Sequence, residues 1–152
     1  MIKEKANFVW VKGETYKARI YDFLAEIDDV MIPPLRGRVV LADYAEKLAG
    51  KAETVFMVKE ATDLASCSIY CNEKNAFITS IAVKKEYQKQ HLGSQLLNEV
   101  KKFVEKKECE RIRLEVFKEN ISAYKFYLKN RFEVINENDF WITMEYRMEE
   151  MK

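Results

Sequence analysis

The stretch YQKQHLGSQLL, residues 87–97, carries one of only four glycines in the chain, at the point where a charged segment gives way to apolar residues at helical spacing. A strand, a polar turn, a glycine and then a helix point successive backbone N–H groups outward, and the positive end of the helix dipole adds to them. Such a turn can hold a phosphate. A plain loop with a flexible joint has the same sequence signature, so the turn by itself leaves both readings open. Two further stretches carry groups able to move protons: RLEV, with Glu115, and NISAYKFYLKNRF, with Tyr124 and Tyr127. Each has a plainer reading. Tyr124, Tyr127 and Leu128 fall at core-like helical spacing, and Glu115 alternates onto the strand face of Arg113, where an ion pair is an equal reading. Asn120 suits a helix N-cap.

These groups depend on the elements that carry them. In residues 15–27 the positions Tyr16, Ile20, Phe23, Leu24 and Ile27 form one helical face, which Asp28 and Asp29 end. The segment MIPPLRGRV holds both prolines, Pro33 and Pro34, and reads as an ordered loop because proline lacks the N–H that a helix interior needs. Leu41, Tyr44, Ala45 and Leu48 predict a second, short helix with Gly50 as its C-terminal cap. TVFMV, ASCSIYC and AFITSIAV then read as consecutive strands of an antiparallel meander, punctuated by Ala61-Thr62-Asp63 and Asn72-Glu73-Lys74-Asn75. After the quoted turn, Leu96, Leu97, Val100, Phe103 and Val104 make a helical stripe, and RIRLEVF alternates as a strand. A helix from Asn120 to about Asn130 follows, then a hairpin of FEVIN and FWITMEYRM across Glu137-Asn138-Asp139. The layout is mixed α+β with one strand-helix-strand crossover, whose strands must run parallel. Parallel neighbours that part at their carboxyl ends open a gap where ligands bind.

With 152 residues the chain has the length of one ordinary domain, and residues 1–152 are read as such. The 48% apolar and 34% charged residues are the balance of a folded, well-solvated globule. Because 26 basic residues face 25 acidic ones, there is no bulk attraction to nucleic acid or to an anionic membrane, and neither is expected as a partner. Any anion site must be local. Cys67, Cys71 and Cys109 are odd in number and lack paired spacing, and His91 is the only histidine, so no metal is expected and the thiols are read as reduced. The apolar run in MIKEKANFVWVKGE is too short for a signal peptide, and no run of about 18 apolar residues occurs, which points to the cytoplasm.

Taken together, ITSIAVKKEYQKQHLGSQLL, RLEV and NISAYKFYLKNRF resemble the GNAT superfamily of acetyl-CoA-dependent N-acetyltransferases, in the expected order over residues 53–147. The resemblance implies a mixed, mostly antiparallel twisted sheet with a central parallel β-α-β crossover and helices on both faces. It also implies acetyl-CoA as co-substrate. The family's pyrophosphate motif is Arg or Gln, two residues of any kind, Gly, any residue, then Gly or Ala. Gln88, Lys89, Gln90, His91, Leu92 and Gly93 occupy these places, with Ser94 next. His91 stands where the first glycine belongs, and a side chain there is costly if φ must be positive.

By the same likeness Ile81, Ala82 and Val83 pair through their backbone with the pantetheine arm, and an N–H near Ile81 faces the thioester oxygen. Asn120 and Ala123 lie beside the cofactor. Tyr127, in N-x-x-A-x-x-F-Y, holds the place from which these enzymes present a phenol to the coenzyme sulfur as general acid. A phenol of pKa about 10 matches a thiolate of comparable basicity. Glu115 resembles the glutamate of ribosomal-protein and related N-terminal acetyltransferases, twelve residues before the tyrosine, and would accept the amine proton directly or through water. Tyr70 and Ser80 ordering a water wire, or an amine arriving deprotonated, are the alternatives. The family usually has a glycine before an aromatic at the end of the last helix; here Asn130-Arg131-Phe132 stands there, and Asn130 is expected to take the left-handed cap.

The function expected is direct acetyl transfer to a primary amine of an amino sugar, a polyamine-like metabolite or a peptide. Asp28, Asp29, Arg36 and Arg38 around the proline loop are candidates for reading the acceptor's charge. The competing reading is a non-catalytic acyl-CoA-binding sensor. A third is a small interaction domain without a cofactor. The exposed edges of the final hairpin would let a homodimer form.

Overall fold

Alternation along ETVFMVK sets the layering. Val55 and Met57 point into one apolar core and Phe56 into another, so this strand is buried on both faces and needs helices over each. The computed structural model describes residues 6–148; the early lysines Lys3 and Lys5 lie outside the described residues. In chain order the elements are β1 (Asn7–Val11), α1 (Lys17–Ile27), α2 (Leu41–Lys51), β2 (Glu53–Lys59), β3 (Thr62–Asn72), β4 (Asn75–Val83), α3 (Leu92–Lys106), β5 (Arg111–Phe117), α4 (Ile121–Lys129), β6 (Glu133–Glu137) and β7 (Trp141–Arg147). The strands form one seven-stranded sheet in the order β1-β2-β3-β4-β5-β7-β6. Every neighbouring pair is antiparallel except β4 and β5, which α3 joins as the crossover.

On one face α1 and α2 bury Ile20, Phe23, Leu24 and Leu48 against Phe56. On the other, Leu96, Leu97, Val100 and Val104 of α3 and Tyr127 of α4 pack on Val55, Met57, Ile69 and Ile112. This is the mixed α+β architecture that the residue pattern and the resemblance imply.

Four local readings differ. First, β1 was not predicted, because five residues, NFVWV, are too few for periodicity to separate an edge strand from a loop. It is tied down from afar: Trp10 stacks on Phe103 with centroids 3.8 Å apart, and its indole N–H donates to Glu99 at 2.9 Å. Second, Gly50 does not end its helix. Ala49 and Ala52 are fully buried, and that packing carries α2 on to Lys51 with Ala52 as the cap.

Third, the turn after β2 is the pair Glu60-Ala61, both left-handed at φ 50° and 60°, so Thr62 and Asp63 already belong to β3. Asp63 is held there by two hydrogen bonds from Arg19, at 2.6 and 2.9 Å. Fourth, Asn130 keeps φ at −93°, and Arg131, at φ 71°, takes the left-handed position. Asn130 caps by its side chain instead, donating from Nδ2 to the Phe126 carbonyl at 2.8 Å, the same oxygen that accepts its backbone N–H at 3.1 Å.

Candidate active site

The parallel pair is short. Asn75, Ala76 and Phe77 of β4 align with Arg111, Ile112 and Arg113 of β5, and pairing stops there. The cause lies on the other edge of β4. Ser68 aligns with Ser80 but Ile69 with Ile78, so Thr79 is an extra residue, and a bulge of this kind bends the strand. A side chain from another layer holds the bulge: the Tyr44 hydroxyl on α2 donates to the Thr79 carbonyl at 3.0 Å and lies 2.7 Å from Thr79 Oγ1. Burial pushes the Tyr44 phenol upward against the opposing effect of the Thr79 side-chain hydroxyl, so it stays protonated and able to donate to the carbonyl.

Between the diverging strands lies a cleft of about 190 Å³. Ile81, Ala82 and Val83 line it from β4, Glu115 from β5, and Asn120, Ala123 and Tyr127 from α4. Gln88 borders it too, and its side-chain amide donates to the Val83 carbonyl at 3.1 Å, bracing the strand end against the turn. Lys89, Gln90, His91, Leu92, Gly93 and Ser94 do not line the cleft; they form the turn and the first residues of α3 just beyond Gln88.

In that turn Lys89 and His91 both have positive φ, 65° and 62°. His91 thus adopts the conformation expected of the glycine it stands for, and histidine is among the residues that do so most readily. The first backbone hydrogen bond into the helix is from Gln95 N–H to the His91 carbonyl, at 3.3 Å. Among the described residues no acceptor meets the N–H groups of Leu92, Gly93 and Ser94, as is usual for a helix start without a side-chain cap. Gly93 itself is helical. Its missing Cβ answers a packing need, since a Cβ there would come within 3.2 Å of the Phe126 ring on α4.

Tyr127 is 8% exposed, and burial, helped by the nearby Cys67, pushes its phenol well above the usual tyrosine range. It is a proton donor at any physiological pH. Its ring packs edge-on against Phe126 and Phe132, so the side chain belongs to the core and the cleft at once. Asn120 caps α4, its Oδ1 accepting from Ala123 N–H at 3.2 Å, and it borders the cleft as well. Both residues therefore serve the packing of α4 and border the cleft.

Glu115 is exposed, and no described residue forms an ion pair with it. The expected partner Arg113 bonds instead to Glu145, directly across on β7, with Nε to Oε2 at 2.8 Å. Burial alone would raise the Glu145 carboxyl; hydrogen bonds from Arg113 and Arg147 overcome it and hold the group below its usual range. Ser80 lines the cleft, whereas Tyr70 does not, and its buried hydroxyl has no hydrogen-bond partner among the described residues.

Of the charged residues around the proline loop, Asp28 and Arg36 satisfy each other. Asp28 accepts from the Arg36 backbone N–H at 2.9 Å and pairs with the guanidinium at 3.1 Å. Arg38 instead borders the cleft together with Trp141 of β7. Arg38 is among the candidates for reading the acceptor's charge; Tyr44, Thr79 and Trp141 are the site neighbours that periodicity missed. Tyr44 reads as one more apolar helix position, and nothing in AFITSIAV marks which residue bulges.

Among the described residues no group of three or more His, Cys, Asp or Glu could hold a metal ion, and no helix is long and apolar enough to cross a membrane. The model of the acetyltransferase (GNAT) family matches residues 6–132. No curated protein matches the chain. Among solved structures, a probable acetyltransferase from Staphylococcus epidermidis superposes with a TM-score of 0.77 at 14% identity, covering 95% of this chain and 99% of that one. The ribosomal-protein-S18-alanine N-acetyltransferase of Escherichia coli gives 0.76 at 18% identity, covering 96% and 97%. A PaiA N-acetyltransferase from Thermoplasma acidophilum, in complex with coenzyme A, gives 0.73 at 17% identity, covering 93% and 99%. At these identities the likeness is one of fold.

Proposed function

Since the chain belongs to the GNAT family of acetyltransferases, and so is an acetyl-CoA-dependent acyltransferase, we propose that it transfers acetyl directly to a primary amine of a small molecule or peptide within the β4–β5 cleft. The observation that carries this reading is the parting of β4 from β5 at the Thr79 bulge, with Tyr127 and Glu115 lining the same opening. The residues fit a thioester bearing a diphosphate. Three unpaired N–H groups begin the fifteen-residue helix α3, and the unpaired edge of β4 beyond Phe77 leaves backbone groups for an extended arm. Ile81, Ala82 and Val83 supply that edge, and the turn from Gln88 to Ser94, with Asn120 and Ala123, supports the two ends.

In the reaction the amine lone pair forms the new C–N bond and the C–S bond breaks. Glu115 takes a proton from the amine, directly or through water. Tyr127 gives its proton to the departing thiolate and recovers one from solvent or from the product side. A backbone N–H of the bulged segment near Ile81 meets the carbonyl oxygen as it gains charge. Burial keeps the phenol protonated until the thiolate forms, while the same upward push takes it away from the match with the thiolate that the free value offers. The protein needs no covalent intermediate of its own.

Thiol release from acetyl-CoA over a panel of amines tests the proposal. The expected result is acceptor-dependent release that Tyr127→Phe lowers by about 10²- to 10⁴-fold in kcat, the usual span for a general acid. Coenzyme binding without acceptor-dependent release in the wild type would instead leave a sensor.

A further inference from the structure

A second cavity, of about 260 Å³, adjoins the cleft on the α2 side. The two share Arg38, Ile78, Thr79, Glu115 and Trp141, so an acceptor in this cavity would meet the cleft at Glu115. Its remaining wall is apolar or aromatic: Leu35, Val39, Tyr44 and Phe77. The Tyr44 hydroxyl and Thr79, the other polar side chains of the wall, are already engaged with each other. Only Arg38 and Glu115 bring charge to the lining, and they are of opposite sign.

Neither charge is spent within the protein. Among the described residues no carboxylate lies within ion-pair distance of Arg38 and no cation within that distance of Glu115, and the two do not pair with each other. Arg36, two residues earlier, is by contrast bound to Asp28. The Arg38 guanidinium lies over the Trp141 ring, 5.4 Å from its centroid, which keeps it on the cavity wall in place of a free swing into solvent. Opposite charges held apart on one small chamber complement a ligand that carries both signs. The volume lies below the roughly 300–1,000 Å³ of drug-sized pockets, so the ligand is compact.

Resting on the acetyltransferase reading above, we infer that the acceptor is a small amino carboxylate, its amine directed to Glu115 and its carboxylate to Arg38. A planar guanidinium suits a carboxylate through paired N–H donors, and the aromatic wall suits an apolar side chain between the two charges.

The test compares the proteinogenic L-amino acids with their C-terminal amides, which keep the amine and the side chain but lose the anion. Acetyl-CoA is the donor, and thiol release gives kcat/KM. For the best-accepted side chain, the acid should exceed its amide by at least about tenfold, the value of one charge-assisted contact. Arg38→Gln should bring the acid-to-amide ratio close to one, and Arg38→Lys should restore part of it. Amides accepted as well as or better than acids by the wild type would overturn the amino carboxylate and leave acetyl transfer standing. An unchanged ratio in Arg38→Gln would overturn the role of Arg38. No thiol release with any amine, although coenzyme A raises the melting temperature, would overturn the parent reading together with this one.

Discussion

His91 sits at φ 62° and ψ 18°, the left-handed region, at the entrance to α3. For a residue with a Cβ that conformation costs about 1–2 kcal/mol, and histidine, one of the types enriched there, belongs at the lower end. Glycine would remove the cost but lose about 0.5–1 kcal/mol more backbone entropy on folding. The imidazole is exposed and makes no capping hydrogen bond, so little else is lost. His91→Gly should therefore leave stability unchanged or raise it by up to about 0.5 kcal/mol, a rise in Tm of up to about 1–2 °C for a chain of this size. Gln90→Gly is the control. Gln90 is equally exposed but is not among the positive-φ residues, so glycine there only loses entropy, about 0.5–1 kcal/mol, and Tm should fall. Thermal melts of the two variants beside the wild type read the difference directly. If His91→Gly melts no higher than Gln90→Gly, the left-handed strain assigned to His91 is absent and histidine is no substitute for the missing glycine.

Two helical glycines should respond oppositely to alanine. Gly50→Ala meets only the Glu14 carboxylate at 3.5 Å and should stabilise by up to about 1 kcal/mol, whereas Gly93→Ala drives a Cβ to 3.2 Å from Phe126 and should forfeit that gain; urea titrations compare them. Tyr44→Phe strips the Thr79 bulge of its hydrogen bonds. It should cost about 1–2 kcal/mol of stability and lower kcat more than the KM for acetyl-CoA, and equal stability with full activity would remove Tyr44 from the site. Glu145 has a carboxyl held below its unfolded pKa, so its stabilisation is complete above that value and is lost as pH falls through the lower, folded one. Denaturant midpoints should thus decline on acidification from about pH 5 to 3, and less steeply in Glu145→Gln, whose amide does not titrate.

Much of the frame was legible because it is written in short-range periodicity. RIRLEVF is β5 to the residue, its alternation set by Ile112, Leu114 and Val116 packing inward. The crossover followed from a strand, an amphipathic helix and a strand in succession, and Asn120 announced α4 by the chemistry of a cap. Where local rules misled, a longer-range contact had prevailed. Burial of Ala49 and Ala52 carried α2 past Gly50, and Arg131 took the left-handed turn because Asn130 was already bonded back to Phe126.

The candidate site divides in the same way. The turn at residues 88–94 and the places of Glu115, Asn120 and Tyr127 on strand and helix are properties of the chain read in one dimension, because a helix start or a strand face is defined by neighbours a few residues apart, whereas their roles came from the family resemblance and not from that spacing. Tertiary structure alone decided that β4 bulges at Thr79, that Tyr44, thirty-five residues earlier, holds the bulge, and that Arg113 turns to Glu145 and leaves Glu115 unpaired. Those choices depend on which side chains meet across layers and strands, and no spacing along the chain records such meetings.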